Sequence, residues 1–357
     1  MLLWLLFLTL QFNPSSLVLA ASPSAGSSSS EEGELLWATG KAAYDKKEYQ
    51  TVVNQFERFV ARYPGFPYYL EAHLLLGESL LKLNHSKQAI RPLKYFVSAV
   101  EKGGEALTGR LLLSQAFLNT GKYNEALLLT NQVEALAVKI GGLSETLQLR
   151  MLVLRAQALM RLGESERAQS ALASAKSLNS SAQDSEYEWT ALEFATRKCA
   201  KLADTQKFKV MNEEVLLDQL ERRGQCLSEA VVFYTQIFSR ESRSDLEIPT
   251  RLMKTAFSSY WKVCTHPPAP PALTPEKRTA EELQRYQAEL KDRLVQLCQG
   301  RGRQILELLE KSRTAKVPGS DEGKYDFIRT LTDEIRFKTD PPTAAKTTKS
   351  AKKAKRK

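Results

Sequence analysis

Residues 56–83 read FERFVARYPGFPYYLEAHLLLGESLLKL, and this stretch decides the fold. Leu74, Leu75, Leu76, Leu80 and Leu81 recur at helical spacing and read as packing residues around Gly77. Gly77 itself belongs to a column, since Gly40, Gly77, Ser114 and Ala156 are separated by 37, 37 and 42 residues. The same offsets connect Val52, Ala89, Ala126 and Ala168, then Phe56, Leu93, Thr130 and Leu172, then Phe59, Phe96, Val133 and Ala175. Four columns in register are an internal repeat.

Each unit places the small residue of the first column twelve positions before the small or Val residue of the second. A turn lies between, marked by Lys47-Glu48, Asn84-His85, Gly121-Lys122 or Gly163-Glu164. The spacing predicts two helices closing on each other at these columns. Small side chains let the backbones approach, and the Phe or Leu four and seven residues later stays on the same face to fill the groove.

These residues resemble tetratricopeptide repeats. The unit from Glu34 to Pro64 carries Leu36, Gly40, Tyr49, Phe56 and a closing Tyr63-Pro64 in the family's order. Later units repeat it as Ala72-His73-x3-Gly77 with Ala89, as Gly121-Lys122-Tyr123-x2-Ala126, and as Leu162-Gly163-x4-Ala168. Residues 56–83 look most like the long-helix repeats of bacterial envelope proteins, the outer-membrane assembly lipoproteins and the Tol-Pal-associated periplasmic proteins. The resemblance implies an all-α fold, a right-handed superhelical α-solenoid of helix pairs with additional C-terminal helices. The spacing exceeds the usual unit of about 34 residues, and Ser114 with Thr130 departs from the pattern in the third unit. A fifth, weaker unit is expected at 214–240, with Ala230, Tyr234 and Ile237 on its second helix.

The flanks set the address. Met1 to Ala21 holds an apolar run from Leu2 to Leu10, a break at Asn13 to Ser16, and small residues before Ala20 and Ala21. It reads as a signal peptide cleaved after Ala20 or Ala21, being shorter than a bilayer span of about 20 residues. No Lys or Arg precedes the run, so an uncleaved membrane anchor is the alternative, and no Cys follows it as a lipoprotein signal requires. Residues 22–32 read as a Ser-rich spacer, 33–180 as about four repeat units, and 181–264 as further helices. Within the last segment the helical patterns are Tyr187 to Leu202, Glu213 to Arg222, Leu227 to Arg240 and Pro249 to Cys264.

Residues 265–275 (THPPAPPALTP) hold five of the chain's fourteen prolines and read as an extended connector. Residues 276–337 read as C-terminal helices, the first starting at Pro275 with Thr274 as its cap. Leu283, Tyr286, Leu290, Leu294 and Leu297 form its apolar stripe, and Ile305, Leu308 and Leu309 follow a break at Gly300-Arg301-Gly302. That stripe is expected to cap the helical stack, or else to pair with a second chain as a coiled coil or to fold back with Ile305, Leu308 and Leu309.

The net charge of +10 over 357 residues is concentrated in the tail, residues 338–357. Lys346, Lys349, Lys352, Lys353, Lys355, Arg356 and Lys357 supply seven of those charges, with no acid among residues 341–357. A like-charge block this poor in apolar surface reads as a disordered tail with affinity for anionic surfaces. Nucleic acid is the disfavoured target, because export removes the chain from it.

Composition, with 43% apolar and 26% charged residues, excludes a disordered chain and a polytopic membrane protein. The only histidines are His73, His85 and His266, no two at the spacing that places metal ligands on one helix face. There is no phosphate loop, dinucleotide turn, nucleophile elbow or zinc helix, so the expectation is a non-enzyme without metal or cofactor. Cys199, Cys226, Cys264 and Cys298 allow two disulfides in three connectivities, or buried thiols.

The resemblance implies binding of a protein or peptide in a concave groove lined by the first helices of successive units. Its groove positions fall on Trp37, Lys41 and Asp45, then Leu74, Glu78 and Lys82, then Leu111, Gln115 and Asn119, then Val153, Gln157 and Arg161. The expected function is an exported scaffold of the periplasm or cell envelope. The rivals are a membrane-anchored subunit of a secretion or division complex and a nucleic-acid binder acting through the tail.

Overall fold

Four hairpin turns share one backbone. Lys47, Asn84, Gly121 and Gly163 take φ of 61, 61, 80 and 84°, in the left-handed region. At each, the next N–H reaches back five residues: Glu48 to the Ala43 carbonyl, His85 to Leu80, Lys122 to Phe117 and Glu164 to Leu159, at 2.8–2.9 Å. This is the helix stop that satisfies the last carbonyls and reverses the chain. The four positions fall on the turns marked in the sequence and keep the repeat's spacing.

The computed structural model describes residues 25–182, 185–201, 213–240, 243–266, 280–314 and 325–339. The turns join α1 (Ala25–Asp45) to α2 (Tyr49–Arg62), α3 (Tyr69–Lys82) to α4 (Ser86–Ala99), α5 (Gly104–Asn119) to α6 (Tyr123–Ile140), and α7 (Glu145–Leu162) to α8 (Ser165–Ala182). Then come α9 (Ser185–Lys201), α10 (Glu213–Arg240), a short 3-10 turn (Arg243–Leu246), α11 (Glu247–Thr265), α12 (Ala280–Thr314) and α13 (Tyr325–Thr339). No strand occurs among the described residues. The fold class is all-α, built from stacked helix pairs as an α-solenoid is.

The columns are the core. Gly40 and Gly77 are buried, and the other fourteen column residues are at most 7% exposed. A Cβ on Gly40 would lie 2.4 Å from Phe56, and one on Gly77 would lie 2.4 Å from Leu93. The first column therefore abuts the third as well as the second. In the third unit Ser114 stands where Gly stood, and the third column shrinks to Thr130. The Ser114 hydroxyl donates to the Ala126 carbonyl at 3.0 Å and Thr130 to the Leu127 carbonyl at 2.8 Å, so the polar pair is buried with its bonds made.

Two compact units divide between Glu101 and Lys102. In the first, α2 packs between α1 and α3, α4 pairs with α3, and α1 touches α3. In the second, α7 meets α5, α6, α8 and α9, and α9 lies against α10 and α11. Leu290, Leu294, Ile305 and Leu309 of α12 join Tyr234, Phe257, Tyr260 and Ile335 in one apolar cluster, with Tyr286, Leu297 and Leu308 at its margin. From Tyr286 to Leu297 the C-terminal stripe thus packs within the chain.

Several expectations are corrected. Helix α1 starts at Ala25, inside the stretch read as spacer; Glu32 on it forms ion pairs with Arg62 at 2.9 Å and Arg58 at 3.7 Å across to α2. Helix α10 is one helix rather than two, and it pairs with α9, so residues 214–240 are half of the fifth pair instead of a whole unit. Helix α12 passes through Gly300-Arg301-Gly302 without a break. Gly302 is needed for close approach, because a Cβ there would lie 1.9 Å from Thr339 of α13.

The four cysteines are joined as Cys199–Cys226, linking α9 to α10, and Cys264–Cys298, linking α11 to α12. The signal segment with Ala20 and Ala21, the proposed cap at Thr274 and Pro275, and the tail from Lys346 to Lys357 lie outside the described residues.

Candidate functional site

Trp37, Lys41 and Asp45 repeat at four-residue steps and so share one stripe of α1. Lys41 holds Asp45 at 3.3 Å, with its ammonium 5.3 Å from the centre of the Tyr44 ring. Glu78 stands on α3, where the Tyr44 hydroxyl donates to its Oε2 at 2.8 Å and ties the two first helices together. Burial, then the hydrogen bond to the Glu78 carboxylate, pushes the Tyr44 pKa above the ordinary tyrosine range, so its proton stays in that bond. Lys82, one turn beyond Glu78, is exposed.

Trp37 is half-buried. Its ring stacks on Phe56 at 5.4 Å and on Tyr68 at 4.7 Å, with interplanar angles of 24° and 12°. Phe56 is fully buried and Tyr68 is 45% exposed, so the stack runs from core to surface. Phe59 and Phe66 close its flank at 6.1 Å from Trp37 and 6.1 Å from Tyr68. The exposed end of this stack is therefore Tyr68. Reading helix faces missed it because it precedes α3 in a linker; the run of aromatics through Tyr63-Pro64-Gly65-Phe66-Pro67-Tyr68 was the available signal.

In the second unit the expected groove residues are engaged with neighbouring side chains. Gln115 donates to Asn119 at 3.1 Å on α5. Gln157 donates to Thr190 of α9 at 2.9 Å, and Arg161 pairs with Glu193 of α9 at 3.0 Å. These side chains join α7 to α9. Leu111 and Val153, expected to face a groove, are 0% and 1% exposed and belong to the core; Leu74 is half-buried. Sequence spacing could not separate residues that face solvent from residues that join neighbouring helices.

Other perturbed groups lie in packed surroundings. Burial, reinforced by the Arg91 charge, pushes His73 down to about 4; its ring stacks on Tyr95 at 4.4 Å and meets Tyr69 edge-on at 4.7 Å. Burial also lowers Arg223 to about 10, its guanidinium donating to Ser259 at 3.2 Å and lying 5.9 Å from the Tyr260 ring centre. Desolvation is the leading cause in both. Neither forms the pair of acid and base with opposed shifts that proton-transfer chemistry uses. Among the described residues no cluster of three or more His, Cys, Asp or Glu side chains is placed to hold a metal, and no helix is long and apolar enough to cross a membrane.

No family model matches the chain, and no curated protein matches it. Among solved structures, it is similar to a thermophilic tetratricopeptide repeat protein of Thermus thermophilus. The two are 18% identical, over 63% of this chain and 99% of that one, with a TM-score of 0.41. A tetratricopeptide repeat protein from Parabacteroides merdae is 12% identical, over 85% of this chain and 99% of that one, at 0.39. A chain from a computational design of self-assembling cyclic homooligomers is 11% identical, over 87% of this chain and 95% of that one, at 0.34. Likeness at this level carries no functional information, and the paired-helix class rests on the hairpins themselves.

Proposed function

We propose that the chain is a non-enzymatic scaffold, exported from the cytoplasm, that docks a protein partner on the α1 and α3 row of its first unit. One observation carries the reading: the Phe56–Trp37–Tyr68 stack presents a rigid, half-exposed aromatic face beside Lys41, Asp45, Glu78 and Lys82. Aromatic side chains already held in place supply contact area at low entropic cost, and such residues dominate interface energetics. The four charges sum to zero, so the row suits a partner of mixed polarity, an extended or helical peptide segment. The Lys-rich tail serves in this reading to hold the scaffold near an anionic surface.

Export is supported by the apolar amino end and by the two disulfides, which form and persist in oxidising compartments. The bacterial periplasm and a secretory lumen both meet that condition, and the envelope setting is the one the repeat resemblance suggests. A photo-crosslinking residue placed at Tyr68 or at Lys82 is expected to capture one protein from extracts of the native compartment. The same residue at Gln50 or Lys87, exposed on α2 and α4, is the control. Equal capture from all four positions, or none from Tyr68 and Lys82, would discard the row as the docking face.

A further inference from the structure

Residues 84–86 read Asn-His-Ser, with Lys87 following, the acceptor motif for an N-linked oligosaccharide. We propose that Asn84 is a glycosylation site, carrying an N-linked glycan at the apex of the α3–α4 hairpin. The inference rests on the export reading and narrows its compartment to one that contains an oligosaccharide transferase.

The local geometry suits the chemistry. Asn84 is exposed, as are Lys87 and Gln88 beyond it, so a bulky substituent there leaves the packing of both helices intact. Its backbone is fixed at φ 61° by N–H donation to Leu81 at 3.0 Å, while its side-chain amide has no hydrogen-bond partner among the described residues. In the transfer, Asn84 Nδ2 bonds to the anomeric carbon of a lipid-diphosphate-linked oligosaccharide. The bond from that carbon to the diphosphate oxygen breaks, the lipid diphosphate leaves with the electron pair, and one Nδ2 proton is lost to a base. The other three hairpin turns carry Lys47, Gly121 and Gly163 at the equivalent position, none of which can accept a glycan.

Ser86 sets the timing. It begins α4 and is 8% exposed, so the hydroxyl that completes the motif is covered once the hairpin forms. Transfer must therefore precede folding and occur on the chain as it crosses the membrane. A second motif, Asn179-Ser180-Ser181, lies near the end of α8 and serves as an internal comparison.

The test is expression of the full-length chain in eukaryotic cells, with a reporter acceptor motif added after Lys357 to register entry into the lumen. Intact mass and peptide mapping are read before and after peptide N-glycosidase in isotopic water. The expected result is a mass shift removed by the enzyme, with Asn84 converted to labelled Asp. Asn84→Gly, which suits the left-handed backbone, and Ser86→Ala each abolish that label, while Asn179→Gln leaves it in place. A glycosylated reporter with Asn84 unmodified overturns the inference and leaves the export reading standing. Absence of glycan from reporter and Asn84 alike overturns both.

Discussion

Lys47 holds a left-handed backbone that its three counterparts give to Asn84, Gly121 and Gly163. A side chain with a Cβ costs about 1–2 kcal/mol in that region, and Gly returns part of the gain through its larger unfolded-state entropy. Lys47→Gly is therefore expected to stabilise the protein by about 0.5–1 kcal/mol, seen as a higher urea midpoint at unchanged slope. A second residue-scale effect belongs to His73. Its folded pKa of about 4 is below the usual value near 6.5, so between those limits the unfolded chain binds the extra proton. Stability is then full above about pH 6.5 and is lost as pH falls toward 4, by about 1–3 kcal/mol. Urea titrations at pH 4.5 and 7 should show a smaller difference in His73→Phe than in the parent.

At the scale of the element, each helix pair is fixed by complementary sizes in two columns. Gly40 lies under Phe56 and Gly77 under Leu93, with room for no added atom. Gly77→Ala should cost about 1–3 kcal/mol through overpacking, and Leu93→Ala about 2–5 kcal/mol through the cavity it leaves. Together they should cost less than the sum, because the added methyl occupies part of the vacated space. A double-mutant cycle by chemical denaturation measures the coupling; strict additivity would mean that the two columns do not share that space. The pairing was legible at Gly77 because a glycine amid five leucines on a helix needs a packing reason. It was less legible at Ser114, which looked like decay of the pattern and instead bonds the Ala126 carbonyl.

Across the whole molecule, the covalent staples are unevenly distributed. The described residues of the first unit contain no cysteine, whereas α9 to α12 carry both disulfides, closing loops of 27 and 34 residues. Each is worth about 3–4 kcal/mol by loop-closure entropy. Reduction should therefore accelerate amide exchange in α9–α12 well before α1–α4, as hydrogen-exchange mass spectrometry would resolve. Cys199→Ala with Cys226→Ala should reproduce the effect for α9 and α10. Exchange that rises uniformly along the chain on reduction would show that the staples act on something other than the helices they join.

The sequence alone determined the helix pairs, their columns and the positions of four turns. These follow from local periodicity and backbone preference, which need no knowledge of distant residues. Tertiary structure decided which of three disulfide connectivities exists, that α10 and α12 pass through their glycines, and that Gln157 and Arg161 reach across to α9. It also placed Trp37 inside a ring stack whose exposed end is Tyr68. In each case the outcome depends on what a neighbouring helix brings within a few ångströms. A periodic pattern says which face a residue occupies and leaves open what lies opposite.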